Sequence, residues 1–270
     1  MKMSKINEKI KEAIQNNSAL SFGKLGGIEA SHVCNYLVTG KPKLLGSTLF
    51  VNAGIYAKNE EDLTLWCNYY INAIKSLDYV LQWCPSQGDE ALINAFWTGV
   101  ERFYEFTDLE PYSHGENGWH YFLSDKKILF ISPFSDTVKG QISKYNRIWK
   151  GANIGEVITV TSPYSEALTG KTPISWFDKY RGITDEIEKL DFDFATVGCG
   201  GLSLLVCDFI KRLGKPCVHL GGGNQLLFGI KGKRWDNHDI LSKFYNEHWV
   251  RPINHEIPVN HTLVEDGCYW

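Results

Sequence analysis

The chain has 270 residues, 43% hydrophobic and 22% charged, with a formal net charge of −3 from 28 basic and 31 acidic side chains. A chain of this size and apolar content builds its core without staples, and its balanced charge excludes the overall basic footprint of a nucleic-acid binder. The seven cysteines are odd in number and form no CxxC pair, which excludes a disulfide framework and suits a reducing, cytoplasmic setting.

The opening segment MKMSKINEKIKEAIQNN is charged and amphipathic, with no apolar h-region or cleavage site, so it does not read as a secretory signal. Ile6, Ile10 and Ile14 recur at helical spacing and predict a helix over about 4–16. A strand follows at 19–25, Gly26-Gly27 breaks it, and residues 28–37 resume a helical pattern. Residues 60–76 predict a long helix with Leu63, Trp66, Tyr70 and Ile74 on one face, 79–83 a short strand, and 89–106 a helix whose Asp89 and Glu90 suit its positive end. Residues 107–124 are polar, aromatic and glycine-broken, and read as a loop or lobe boundary. Strands at 127–131, 156–160, 194–197 and 216–220 then alternate with helices at 136–149, 176–190 and 202–213. Strands alternating with helices predict an open, mostly parallel, doubly wound (Rossmann-like) α/β sheet with helices on both faces. The chain is expected to form one domain, with two possible lobes at about 1–110 and 125–270. No stretch reaches the roughly 18 apolar residues that a membrane-crossing helix needs; peripheral association with the inner face of a membrane stays open.

Five segments carry candidate chemistry. In FATVGCGGL a strand meets a helix through Gly198, Cys199, Gly200 and Gly201, where close backbone approach and a helix N-terminus favour an anion. Ser203 breaks the full GxGxxG pattern, and the next strand runs into VHLGGG with no ribose-binding carboxylate, which argues against NAD. The same turn would also serve plain helix packing. In HLGGGNQ, Gly221, Gly222 and Gly223 form a loop at the carboxyl edge of the sheet, with Gln225 able to read a base or sugar. In ISPFSDT, Ser132, Phe134 and Ser135 begin a strand-to-helix turn that either caps the helix or touches a phosphate or sugar. In SFGKLGGIE, Lys24 can balance phosphate charge beside Gly26 and Gly27, and Glu29 is either a helix-end charge or a general base or metal ligand. In FGIKGKRW, Lys231 and Arg234 suit a diphosphate. The histidines lack metal-site spacing, and no nucleophile elbow or Walker A sequence is present.

The segments LGGGNQLLFGIKGKRW, SPFSDTVKGQ, SFGKLGGIE and EDGCYW resemble a group of bacterial polysaccharide-biosynthesis proteins that is itself similar to the GT-D-fold glycosyltransferases. The resemblance implies transfer of a sugar from a nucleotide-sugar donor to a glycan or lipid-linked glycan acceptor. On the residues themselves, Lys24, Lys231 or Arg234 would offset the charge on the leaving diphosphate and Glu29 would accept the proton of the acceptor hydroxyl. The resemblance also implies a divalent metal, Mg or Mn, at an Asp-x-Glu motif. Here Gly27 stands at the family's aspartate, and one carboxylate alone is a poor site for such an ion, so no metal ligand is assigned. The alternatives from other classes are an S-adenosylmethionine-dependent methyltransferase, using the VGCGG turn, and a non-catalytic nucleotide-sugar-binding subunit of a glycan-assembly complex.

Overall fold

The structure, a computed structural model, describes residues 5–43 and 48–270. Seven strands form one sheet: β1 (Leu20–Lys24), β2 (Tyr79–Leu81), β3 (Glu101–Phe103), β4 (Leu123–Ser132), β5 (Ile154–Thr161), β6 (Phe194–Val197) and β7 (Pro216–His219). Every pairing is parallel and the order is β3-β2-β1-β7-β6-β4-β5. The α/β expectation is met, in an entirely parallel form. The stretches 1–110 and 125–270 both feed this sheet, joined where Phe22 of β1 pairs with Val218 of β7.

A parallel sheet buried on both faces calls for near-continuous apolar strands, and Ile128-Leu129-Phe130-Ile131 supplies one. Side chains alternate in direction along a strand. Leu129 and Ile131 therefore join one core, with Trp66, Trp176 and Leu205, while Ile128 and Phe130 join the other, with Ile6, Trp119 and Phe228. The first core lies under helices Gly27–Thr39, Glu60–Ser76, Trp176–Ile187 and Ser203–Arg212. The second lies under helix Lys5–Asn16 and the irregular segments around 111–121 and 221–249. Ser4, the first residue of the expected opening helix, lies outside the described residues. Local signals fix the helix starts. Asn59 accepts from the backbone N–H of Asp62 at 2.8 Å and Ser175 from that of Asp178 at 3.1 Å, each cap worth about 1 kcal/mol.

Three expectations are corrected. The helix expected over 89–106 ends at Phe96; Gly99 lets the backbone pass close to Leu77, and the chain enters β3. The apolar spacing of Leu92, Phe96, Val100 and Phe103 continues a helical rhythm across this break and conceals the edge strand. Residues 107–124 are no lobe boundary: short helical turns pack Leu109, Tyr112 and Trp119 into the second core. The helix expected over 136–149 is three short pieces, Ser135–Gln141, Ile142–Lys144 and Tyr145–Ile148.

The chain winds outward from β1 through β2 to β3, and reaches β7 from β6 on the other side. The connections leaving β1 and β6 run towards β3 and the one leaving β4 runs towards the other edge, so the crossovers part between β6 and β4. Open α/β sheets bind ligands at such a switch point, beyond the carboxyl ends of the strands.

Candidate functional site

A cavity of about 440 Å³ opens at that edge, within the range of about 300–1,000 Å³ usual for small-molecule sites. Strand ends supply its wall. Lys24 closes β1, Ser132 closes β4 and His219 closes β7, while Trp83, Ser162 and Gly198 lie just past β2, β5 and β6.

Lys24 is the central cation. Its Nζ lies 5.0 Å from the ring centre of Trp83 and 4.6 Å from that of Phe106. Burial lowers its pKa to about 8, against the pull of the Glu110 and Glu29 carboxylates, while Arg234 lowers it further. Near neutral pH the ammonium still carries its charge, in surroundings poor in water, where it acts strongly on an anion. Arg234 is the second cation on the wall. It is held by Glu265 at 2.6 Å and the Tyr269 hydroxyl at 3.2 Å, with its guanidinium 4.7 Å from the Tyr269 ring centre.

Helix Gly27–Thr39 starts at the cavity with Gly26 as an N-cap lacking a side-chain acceptor; the Gly26 N–H donates to the Tyr70 hydroxyl at 3.2 Å. Glu29 folds back over this start, so that a Cβ on Gly26 would stand 2.1 Å from its carboxylate. Burial raises the Glu29 pKa, while contact with its own backbone N–H and the charge of Lys24 lower it. Glu29 lies in the first turn of this helix and lines the cavity. Gln87 sits beside it, its side-chain oxygen close to Gly27.

His219 gives the cavity a neutral imidazole. Its Nδ1 lies 3.0 Å from the backbone oxygen of Lys24. A carbonyl only accepts, so Nδ1 carries the proton and Nε2 offers a lone pair near Gly221. Burial, reinforced by Lys24, holds its pKa down to about 3, which fits a hydrogen-bond acceptor and not a base working near neutrality.

The glycine turn at 198–201 is corrected in detail. The Gly198 N–H donates to Ile131, that of Cys199 to the Ser203 hydroxyl, and that of Gly201 to Ala53. Gly200 has a positive φ of 57° and its bare Cα faces the Ala53 carbonyl; a Cβ on Gly201 would meet Ile55. Close packing of the 53–55 segment explains these glycines, and three of the four backbone donors are spent inside the protein. Gly198, Cys199 and Gly200 still border the cavity, whereas Gly201 does not.

Lys24, Gly26, Gly27, Glu29, Ser132, Phe134, Gly198, Cys199, Gly200, Gly221, Gly222, Gln225 and Arg234 are brought together on one cavity. Ser135, Gly201, Gly223 and Lys231 are not. Ser135 donates its hydroxyl to Ser132, Gly223 accepts from the Tyr112 hydroxyl, and the Lys231 ammonium lies over the Tyr245 ring at 5.2 Å. Gln225 lines the cavity but spends its amide donor on Ile230, Lys231 and Tyr269, bracing the closing segment. Trp83, Gln87 and Glu110 lie outside the sequence motifs, and His219 and Tyr269 lie within HLGGGNQ and EDGCYW but are given no role by them. Trp83 and His219 carry a usable signal, since both lie where a strand runs out.

A divalent metal does not fit this donor set. The cavity's carboxylates among the described residues are Glu29 and Glu265; Glu265 is paired with Arg234, and Lys24 stands close enough to Glu29 to repel a cation. Mg²⁺ and Ca²⁺ take several hard oxygen ligands. Asp136, His255 and Glu256 cluster outside the cavity, but Glu256 already accepts from the backbone of Asp136 and from the backbone and hydroxyl of Thr137.

A second cavity of about 270 Å³ shares Trp83 with the first and reaches Phe106, Glu110 and Leu241. Burial raises the Glu110 pKa to about 7 against the pull of Lys24.

No family model, curated protein or solved structure matches the chain. Its class rests on its own geometry, an all-parallel doubly wound α/β protein with a cavity lined by Lys24 and Arg234 beyond the carboxyl ends of the strands. No helix among the described residues is long and apolar enough to cross a membrane.

Proposed function

We propose that the protein is a glycosyltransferase that takes a nucleotide-sugar donor into the cavity at the carboxyl edge of the sheet. One observation carries the reading: Lys24 and Arg234 converge on a single cavity beyond the carboxyl ends of the strands. Two cations suit a diphosphate, and they offset the charge that builds on it as a leaving group. The resemblance to polysaccharide-biosynthesis proteins supports a sugar donor, a GT-D-like site and a reaction at the cytoplasmic side of surface-glycan assembly. Lys24 and Arg234 do here what a metal ion does in other transferases. The missing acidic partner at Gly27 and the Lys24 ammonium beside Glu29 support that division of labour. The methyltransferase alternative has less support, because the VGCGG donors it would use are spent on Ile131, Ser203 and Ala53.

Calorimetric titration with UDP, GDP, CDP and ADP, and separately with S-adenosylmethionine, tests the reading. Binding of one diphosphate, weakened at least about tenfold by Lys24→Met, is the expected result. Binding of S-adenosylmethionine with no diphosphate bound would sink it.

A further inference from the structure

We infer that the second cavity is the acceptor subsite, holding a neutral pyranose ring whose hydroxyl donates to the Glu110 carboxylate. This rests on the nucleotide-sugar reading for its role, but not for its chemistry.

The two cavities differ in charge and in surface. The first sets Lys24 and Arg234 beside Glu29 and Glu265; the second carries Glu105 and Glu110 and lacks lysine and arginine among its described lining residues. An anion therefore finds a lysine or arginine partner in the first and is repelled from the second. The second cavity also presents flat rings to solvent, with Trp83 37%, Tyr104 62% and Phe106 36% exposed. Exposed aromatics gathered at a cavity mark a binding surface. Rings flanked by carboxylates suit a ligand with apolar C–H faces and hydroxyl edges, which is a sugar.

The wall between the cavities is the chemical link. Trp83 lines both. The Lys24 ammonium lies over Trp83 and Phe106 from the first side, and Glu110, which senses its charge, lines the second. A Cβ on Gly223 would stand 3.4 Å from a Glu110 carboxylate oxygen, so the carboxylate also reaches the loop that carries Gly221 and Gly222 into the first cavity. In the transfer, the acceptor hydroxyl oxygen bonds to the anomeric carbon. The anomeric C–O bond to the diphosphate breaks, its electron pair leaves with the diphosphate, and the hydroxyl proton passes to Glu110. Glu29, on the donor side, is then left to hold the turn and meet the donor.

Saturation-transfer NMR of the full chain with the methyl glycosides of glucose, galactose and N-acetylglucosamine tests this, with UDP titrated in parallel. At least one glycoside should bind, without competing with UDP. Tyr104→Ala should weaken it about tenfold and leave UDP affinity unchanged, and Glu110→Ala should weaken glycoside binding about tenfold. Tyr104→Leu, which keeps apolar bulk but no flat ring, should lose the glycoside as Tyr104→Ala does. No glycoside binding, competition with UDP, or indifference to these variants overturns the inference. Failure of the donor reading shows separately, as absence of nucleoside diphosphate binding by a wild-type chain that still takes the glycoside.

Discussion

The side-chain oxygen of Gln87 lies 1.5 Å from the point where a Cβ on Gly27 would stand. The carboxamide therefore fills the space that the aspartate of the resembled motif would occupy, and substitution at either residue acts on the other. Gln87 is the far end of a flexible side chain, and Gly27 has no positive φ, so the exchange is sterically open. Gly27→Asp should displace Gln87, set a second carboxylate on the turn with Glu29, and create Mn²⁺ binding that the wild type lacks. Calorimetry with MnCl₂ decides it. If the variant takes up no more Mn²⁺ than the wild type, then Gly27 is not what disfavours a metal here.

Lys24 makes anion binding in the first cavity sensitive to alkali. Its pKa stands at about 8, so the ammonium is charged below that pH and loses its proton above it. A bound diphosphate holds the proton on. Affinity for UDP should accordingly be level below pH 8 and decline above it, at most about tenfold per pH unit. Lys24→Met should be weaker throughout and lack the decline, leaving Arg234 as a cation that does not titrate in this range. A wild-type affinity that is flat from pH 7 to 10 would remove Lys24 from the diphosphate site.

Glu110 affects stability in the opposite sense from an ordinary ion-paired carboxylate. Its folded pKa is raised to about 7 from 4.5, so between those values the folded chain binds more protons than the unfolded chain. Stability is then lost as pH rises through this window. Glu110→Gln keeps the shape and removes the charge, and should stabilise the protein by about 1 kcal/mol above pH 7 with little effect at pH 4.5. Thermal unfolding of both proteins at pH 5 and pH 8 reads this directly. Equal shifts at the two pH values would contradict it.

The strand ends that build the site are partly legible in the sequence, and the limit has a physical cause. The runs at 128–131 and 194–197 announce β4 and β6, because strands buried on both faces must be apolar throughout. Glycine turns mark positions where the chain bends, so SFGKLGGIE and HLGGGNQ fall at the cavity. The sequence does not say what a glycine makes room for. At Gly200 and Gly201 it is the chain's own 53–55 segment, and at Gly222 it is the Tyr269 ring. Trp83, Glu110 and Tyr269 meet Lys24 and Gly222 only through the order of strands in the sheet, a long-range property with no local pattern. Glu110 in addition lies in a polar, aromatic segment that resembles a surface loop.

The position of Trp83, shared by both cavities, depends on Asp89. The Asp89 carboxylate is fully buried and accepts from the backbone N–H groups of Trp83 and Cys84 at 2.7 and 2.8 Å, from the first turn of helix Asp89–Phe96. The indole N–H is held in turn by the Leu25 carbonyl at 2.6 Å. Asp89→Ala leaves two buried donors unmatched and takes a favourable charge from the helix start, which should cost about 2–4 kcal/mol of folding stability. Asp89→Asn keeps one acceptor oxygen and should cost less, roughly half as much. Both variants loosen the wall between the cavities, so UDP binding should fall in the same order as stability when measured well below the unfolding transition. Urea denaturation monitored by circular dichroism, paired with UDP titration, separates the two effects. An Asp89→Ala protein with wild-type stability would show that Trp83 is placed by its ring contacts with Phe106 and Lys24 alone.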